Sequence, residues 1–300
     1  MSTPQLGIFA MGTTAHLYLE FDRRPGIEAR ALATGVADLR DERVTTAGIN
    51  LVSGFRPELW RDVLPTGAPS TLAGFDHDLV GPDGYVMPAT QHDIVLWFSG
   101  GSQDVVFDEA RRAIRELGPV ASVAGETSGW PYHHDRDLTG FVDGTENPNL
   151  ADAPTVALVP EGRPGAGGSV LLLQKWKHDM ASWESLPQTT QEAVIGRTKS
   201  DSVEFSPKPP DSHAGKTDQD TFGEVFRRNV AYGTVTDHGT MFVGFCAEQG
   251  PLLAMLKSML GIPSGPRDAL TKYTTPLTGA FYFVPAASAL VALASPSPSE

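Results

Sequence analysis

Two apolar runs, "HDIVLWFSG" (92–100) and "GTMFVGFCAE" (239–248), each lead directly into a helix pattern, at 102–118 and 249–260. A run so continuously apolar reads as a strand buried on both faces, and such a strand needs a layer on each side. In the first half the order is strand (16–22), helix (25–41), strand (47–55), strand (92–100), helix (102–118) and an extended return (119–130). Pro25 near a first turn, Ser102 as an opening cap and Gly118 as a stop are the matching helix signals. The second half repeats this grammar loosely, with strands at 168–178, 239–248 and 279–286 and helix patterns at 187–196 and 249–260. Two α+β modules are expected, each an antiparallel sheet with helices on one face, divided in or near 119–140. The closing "SPSPSE" reads as disordered.

Between the halves, residues 131–168 are rich in Gly, Pro and Asp, and a long irregular passage of this kind is more often functional than idle. The formal charge of −13 argues against nucleic acid or an anionic membrane surface, which call for basic patches. Cys246 is the lone cysteine; it excludes an intramolecular disulfide and a four-Cys zinc site, and its apolar setting reads as a buried thiol. No stretch approaches the roughly 20 apolar residues of a membrane span. "MSTPQLGIFAMG" lacks the basic region and apolar core of an export signal, so a cytoplasmic chain is expected. Dinucleotide, P-loop, zincin and nucleophile-elbow motifs do not occur.

Three stretches carry chemistry-bearing residues, and the residues alone favour a bland reading of each. "HHDRD" (133–137) holds metal-ligand types, but neighbours in an extended segment point apart, so a solvated loop is favoured. "TGFVDGTENPN" (139–149) is a strand entering an Asp-Gly turn, with Asp143 as an incidental acid. Arg227 and Arg228 in "FGEVFRRNVAYGTV" (222–235) read as a surface helix end.

Taken in chain order, however, "GFVDG" (140–144) with "TENP", "VIGRTK" (194–199), "PPDSHAGKTD" (209–218), "FRRNVAYG" (226–233) and "DALTKYTTPLTGAFYFVPA" (268–286) resemble the dye-decolorizing peroxidases, B-type branch. The resemblance covers about 130–286. It implies two ferredoxin-like modules of the dimeric α+β barrel type: an N-terminal one (1–125), a haem-binding C-terminal one (126–290) and a disordered tail (291–300). It implies one haem b per chain and a peroxidase that uses H2O2 to form a ferryl intermediate and oxidise dyes, phenolics or Mn(II). A haem-binding, trafficking or iron-release protein is the alternative.

The same resemblance implies the roles of particular residues. His213 is the iron ligand, and Asp268 is the partner of its second ring nitrogen. Asp143 is the acid that moves the proton of peroxide, and must start ionised. Arg227 lowers the pKa of that carboxylate and stabilises developing negative charge. Asn229 positions peroxide or a water, and Arg228 turns away, to the surface. Arg197 pairs with a haem propionate, while Glu146 and Asn147 line the propionate pocket or its opening. Trp176, Trp183, Tyr232 and Tyr282 are candidates for surface relays, but residues of this kind are nearly always simply packed, and packing is the reading favoured for them. Lys272 stands where many relatives carry an acid. A homo-oligomer is expected; an encapsulin shell has no support in the tail.

Overall fold

The computed structural model describes residues 2–39 and 48–294; the ends of the expected helix 25–41 and tail, and the first residue of the strand 47–55, lie outside them. Strands run β1 (Ala15–Arg23), β2 (Asn50–Phe55), a small hairpin β3 (Leu79–Val80) and β4 (Val86–Met87), β5 (Ile94–Gly100) and β6 (Ala121–Trp130). They continue as β7 (Ser169–His178), β8 (Phe226–Arg227), β9 (Val230–Gly233), β10 (His238–Cys246), β11 (Thr274–Pro276) and β12 (Ala280–Val284). The first-half strands lie in the order β2-β5-β1-β6 and the second-half strands in the order β9-β10-β7-β12. Each half therefore places its second, third, first and fourth strands side by side, the ferredoxin-like order. β2 pairs β12 and β6 pairs β9, both antiparallel, closing the two sheets into one barrel.

Alternation along the strands sorts the side chains. In β1, Leu17, Leu19 and Phe21 pack under the helices Ala29–Asp38 and Gln103–Leu117, while Tyr18 joins Trp97, Leu171, Leu173 and Tyr282 inside the barrel. β5 is buried along its whole length. In β7 the alternate residues Leu172, Gln174, Trp176 and His178 face outward onto a cavity roofed by the helix Gln249–Met259 and the turn around His213. This outer face of the second half is where the functional residues gather.

Several local expectations need correction. The helix expected from Pro25 begins at Ala29. Ser102 stands at the N-cap but its hydroxyl caps no backbone N–H; it bonds the Asp104 carboxylate instead. Gly118 is right-handed, at φ −49°. The tail is not disordered from 291: Ala287–Ala294 form a helix, because Leu290 is fully buried against the first-half core. Trp176, Trp183, Tyr232 and Tyr282, by contrast, are buried, in keeping with the packed reading. Among the described residues no helix is long and apolar enough to cross a membrane.

Candidate active site

The segment 135–143 folds into a tight hairpin: Arg136 pairs with Val142, the Asp143 N–H donates to Asp135 O (2.7 Å), and the Asp137 N–H donates to Phe141 O (3.1 Å). Arg136 ties the turn down by donating to Gly140 O (2.6 Å) and Lys199 O (3.2 Å). Alternate residues of an antiparallel pair share a face, so Asp137, Phe141 and Asp143 project together, and all three border the cavity. Gly144 follows at φ 73°, and a Cβ there would come within 2.9 Å of Asn147 Nδ2. The glycine is thus needed for its left-handed backbone and for room.

Asn147 uses both ends of its amide on the next element. Its Oδ1 accepts from the Arg227 N–H (2.9 Å) and its Nδ2 donates to Arg227 O (2.8 Å). It does not itself border the large cavity but lies in an adjoining chamber. Between β8 and β9 the ladder to β10 is interrupted: Asn229 Oδ1 replaces a backbone carbonyl as acceptor of the Val243 N–H (2.9 Å). That assignment leaves Nδ2 of Asn229 as a donor. Arg227 and Asn229, two apart, reach the cavity. Arg227 makes no side-chain hydrogen bond or ion pair among the described residues, and its Nε is buried without a partner. Asp143 and Arg227 border the same space without bonding each other.

Arg228 does not go to the surface. By alternation it enters the barrel, where it donates to Ile8 O (2.9 Å) and Ala10 O and lies 5.2 Å from the centre of the Trp97 ring. Burial lowers its pKa to about 10, which leaves it charged at neutral pH, and burial together with Arg228 takes His16 down to about 4. Arg228→Leu would strand these carbonyls at a cost of about 1–3 kcal/mol. Thermal unfolding should show that loss, while any reaction at the cavity changes less than threefold.

His213 opens a short helical turn capped by Ser212, whose Oγ accepts from the Gly215 N–H (3.2 Å). Its Nδ1 is 2.7 Å from Asp268 Oδ2, and Asp268 is itself 1% exposed, its other oxygen capping the turn Ala269–Lys272 through the Leu270 N–H. With Nδ1 committed to a carboxylate, Nε2 is the free ring nitrogen. Burial opposes protonation of His213, but the charge and hydrogen bond of Asp268 outweigh it and raise the pKa.

Arg197 also borders the cavity. Its guanidinium bonds Glu146 and Glu204, and Glu204 reaches Lys208 (2.7 Å). Burial, and next the neighbouring Glu204, raise the pKa of Glu146. The structure thus gathers Asp143, Arg227, Asn229, His213, Arg197 and Glu146 around one cavity of about 1220 Å³ of open space, with Asn147 and Asp268 one contact behind. Sequence reasoning missed Glu204, and it read Asp137 as part of a solvated loop. Glu204 lies seven residues after Arg197, a spacing with no local meaning. Asp137 had a local signal: two aspartates six apart around an apolar-glycine turn. Gln174 Nε2 and His178 Nδ1, on the outward face of β7, are buried without partners among the described residues.

The model of the family "Dyp-type peroxidase, C-terminal" matches residues 134–289. A dye-decolorizing peroxidase of Mycobacterium tuberculosis is 36% identical over 81% of this chain and 75% of its own length. A dye-decolorizing protein from Vibrio cholerae superposes with a TM-score of 0.85 at 30% identity, covering 96% of this chain and 99% of that one. A DypB variant from Rhodococcus jostii, in complex with haem, gives 0.82 at 31% identity over 93% and 95% of the two chains. With a matching family model over the half of the chain that forms the cavity, and identities above 30% across most of its length, the chain belongs to the dye-decolorizing peroxidase family.

Proposed function

We propose that the protein is a B-type haem peroxidase that uses H2O2 to oxidise dyes, phenolics or Mn(II). The carrying observation is a single cavity that collects an imidazole with only Nε2 free, a carboxylate and an unpaired guanidinium. These residues fit one haem b per chain. Leu172, Phe242, Leu252 and Met255 supply apolar walls, and the buried unpartnered atoms of Arg227, Gln174 and His178 await a ligand or water. When bound, the haem supplies the iron at which peroxide is reduced and the oxidising equivalents drawn on by the reductant.

In this reading His213 holds the iron through Nε2. Asp268 fixes its tautomer and raises its basicity. Arg197 would pair with a propionate, Glu146 would line the opening of its pocket, and Asn147 acts at one remove by holding the backbone of Arg227. The Asp143 carboxylate takes the proton from one peroxide oxygen and returns it to the other, which leaves as water. Arg227 stabilises the negative charge on that departing oxygen, and the amide donor of Asn229 orients the peroxide. A haem carrier would need neither Asp143 nor an unpaired Arg227. The division into an N-terminal module (1–125) and a haem-holding module (126–290) belongs to the same proposal, with β6 carrying the chain across it. So do cytoplasmic residence and a homo-oligomeric state.

Asp143→Asn tests the acid directly. The variant should retain haem, and its reaction with one equivalent of H2O2 should slow by about 10²–10⁴-fold. The substitution keeps the size of the side chain and removes the oxygen that would accept the proton. A stopped-flow profile the same for both proteins would remove Asp143 from the role.

A further inference from the structure

A second, smaller chamber of about 630 Å³ of open space lies behind the cavity, and the two share Asp137, Asp143, Arg227 and Asn229 as their common wall. The chamber is bordered on its far side by exposed residues, Met11, His134 and Asp135. It is therefore a route from solvent to the back of the proposed acid.

We infer that Asp137 is a positioning residue that passes protons from this chamber to Asp143. The two carboxylates share one face of the 135–143 hairpin and border both spaces. Oδ1 of Asp137 is occupied by the Thr139 N–H (2.9 Å) and hydroxyl. Oδ2 accepts no hydrogen bond among the described residues, so one oxygen is anchored and the other is free to exchange a proton. Burial above all raises the Asp137 carboxyl to about 6; the Thr139 donors and His213 oppose this, and Asp143 adds to it. Below that pH Asp137 holds a proton, and above it the proton is gone. The other charged or titratable groups bordering the two spaces are Glu146, His178, Arg197 and His213 on the cavity side and Tyr132, His134, Asp135, Arg136 and Arg228 on the chamber side.

The inference rests on the peroxidase reading and adds a step that reading requires. Reducing one H2O2 to two waters breaks one O–O bond and forms two O–H bonds. The reductant supplies the two electrons, and two protons must enter the site. Asp143 alone can shuttle a proton within peroxide, but the entering protons need a path from water. Asp137 is a second titratable group on the same wall, bordering the solvent-reached chamber as well as the cavity that Asp143 faces.

The test uses the haem-loaded wild type, Asp137→Asn and Asp137→Glu, with two readouts. One is the change of the Soret band on mixing with one equivalent of H2O2; the other is the pH profile of steady-state dye oxidation. In Asp137→Asn the Soret change should proceed within threefold of wild type. Its kcat near pH 5 should drop by about tenfold, and the wild-type decline through about pH 6 should disappear. Asp137→Glu should restore most of kcat with a displaced inflection. A wild-type profile in Asp137→Asn overturns the inference, as does a parallel loss of both readouts at every pH, which marks a structural role. Should that variant fail to load haem, Thr139→Val serves: losing a donor to the ionised form should move the inflection upward, and an unmoved inflection overturns the inference. A wild type with no Soret band at all would overturn the peroxidase reading itself, a different outcome from either.

Discussion

His213→Ala is expected to yield protein without a stable Soret band. His213 Nδ1 is tied to Asp268 Oδ2, 55 residues away in the chain. Asp268 is buried and commits one oxygen to His213 and the other to a backbone N–H. His92 also meets a carboxylate, Asp22 (2.9 Å), but does not border the cavity; His178 does border it, but its Nδ1 has no partner among the described residues, and burial lowers its pKa to about 4. An iron ligand needs its second ring nitrogen engaged to stay oriented and basic, and His213 alone among the cavity's residues satisfies that. Removing the ring also leaves the Asp268 oxygen unpaired, at a cost of about 1–3 kcal/mol to the haem-free protein. Circular dichroism should nonetheless show a folded chain, since the barrel core lies elsewhere. Added imidazole should restore the band by refilling the space. An unchanged spectrum in the variant would assign the iron to another residue.

Arg227→Leu should retain haem and slow the reaction with one equivalent of H2O2 by about 10²–10³-fold, the loss typical of a preorganised charge at a developing anion. Two features of the structure make this a clean experiment. The Arg227 side chain has no hydrogen-bonding partner to strand, and its backbone is held by Asn147 independently of the side chain. The fold should therefore tolerate the change. Arg228→Leu is the control, because its guanidinium is spent inside the barrel on Ile8 and Ala10 carbonyls. If Arg228→Leu slowed the peroxide step and Arg227→Leu did not, the two arginines would have to exchange roles.

Much of the fold was legible in local pattern. The runs at 92–100 and 239–248 became β5 and β10, and the helix signals at 102–118 and 249–260 held to within a residue or two. Closure of the barrel was not legible, because the pairings β2–β12 and β6–β9 join residues far apart in the chain and leave no periodic trace. The same limit explains the arginines. Whether Arg227 or Arg228 faces the cavity depends on the alternation of a strand pair that reads locally as an apolar stretch ending in a turn. His213 by itself resembles any loop histidine flanked by small polar residues; its chain order among the family motifs singled it out. Asp137 was written off because adjacent residues of an extended segment point apart. That is true of Asp137 and Arg136, but not of Asp137 and Asp143 across a hairpin.

The central claim is that this cavity binds haem through His213 and turns over peroxide with Asp143 and Arg227. One measurement tests it most directly: the absorption spectrum of purified protein, supplied with haem, before and after one equivalent of H2O2. The Soret band should shift within the mixing time in wild type, shift slowly in Arg227→Leu and be missing in His213→Ala. A wild-type protein that takes up no haem, or whose Soret band ignores peroxide, would contradict it.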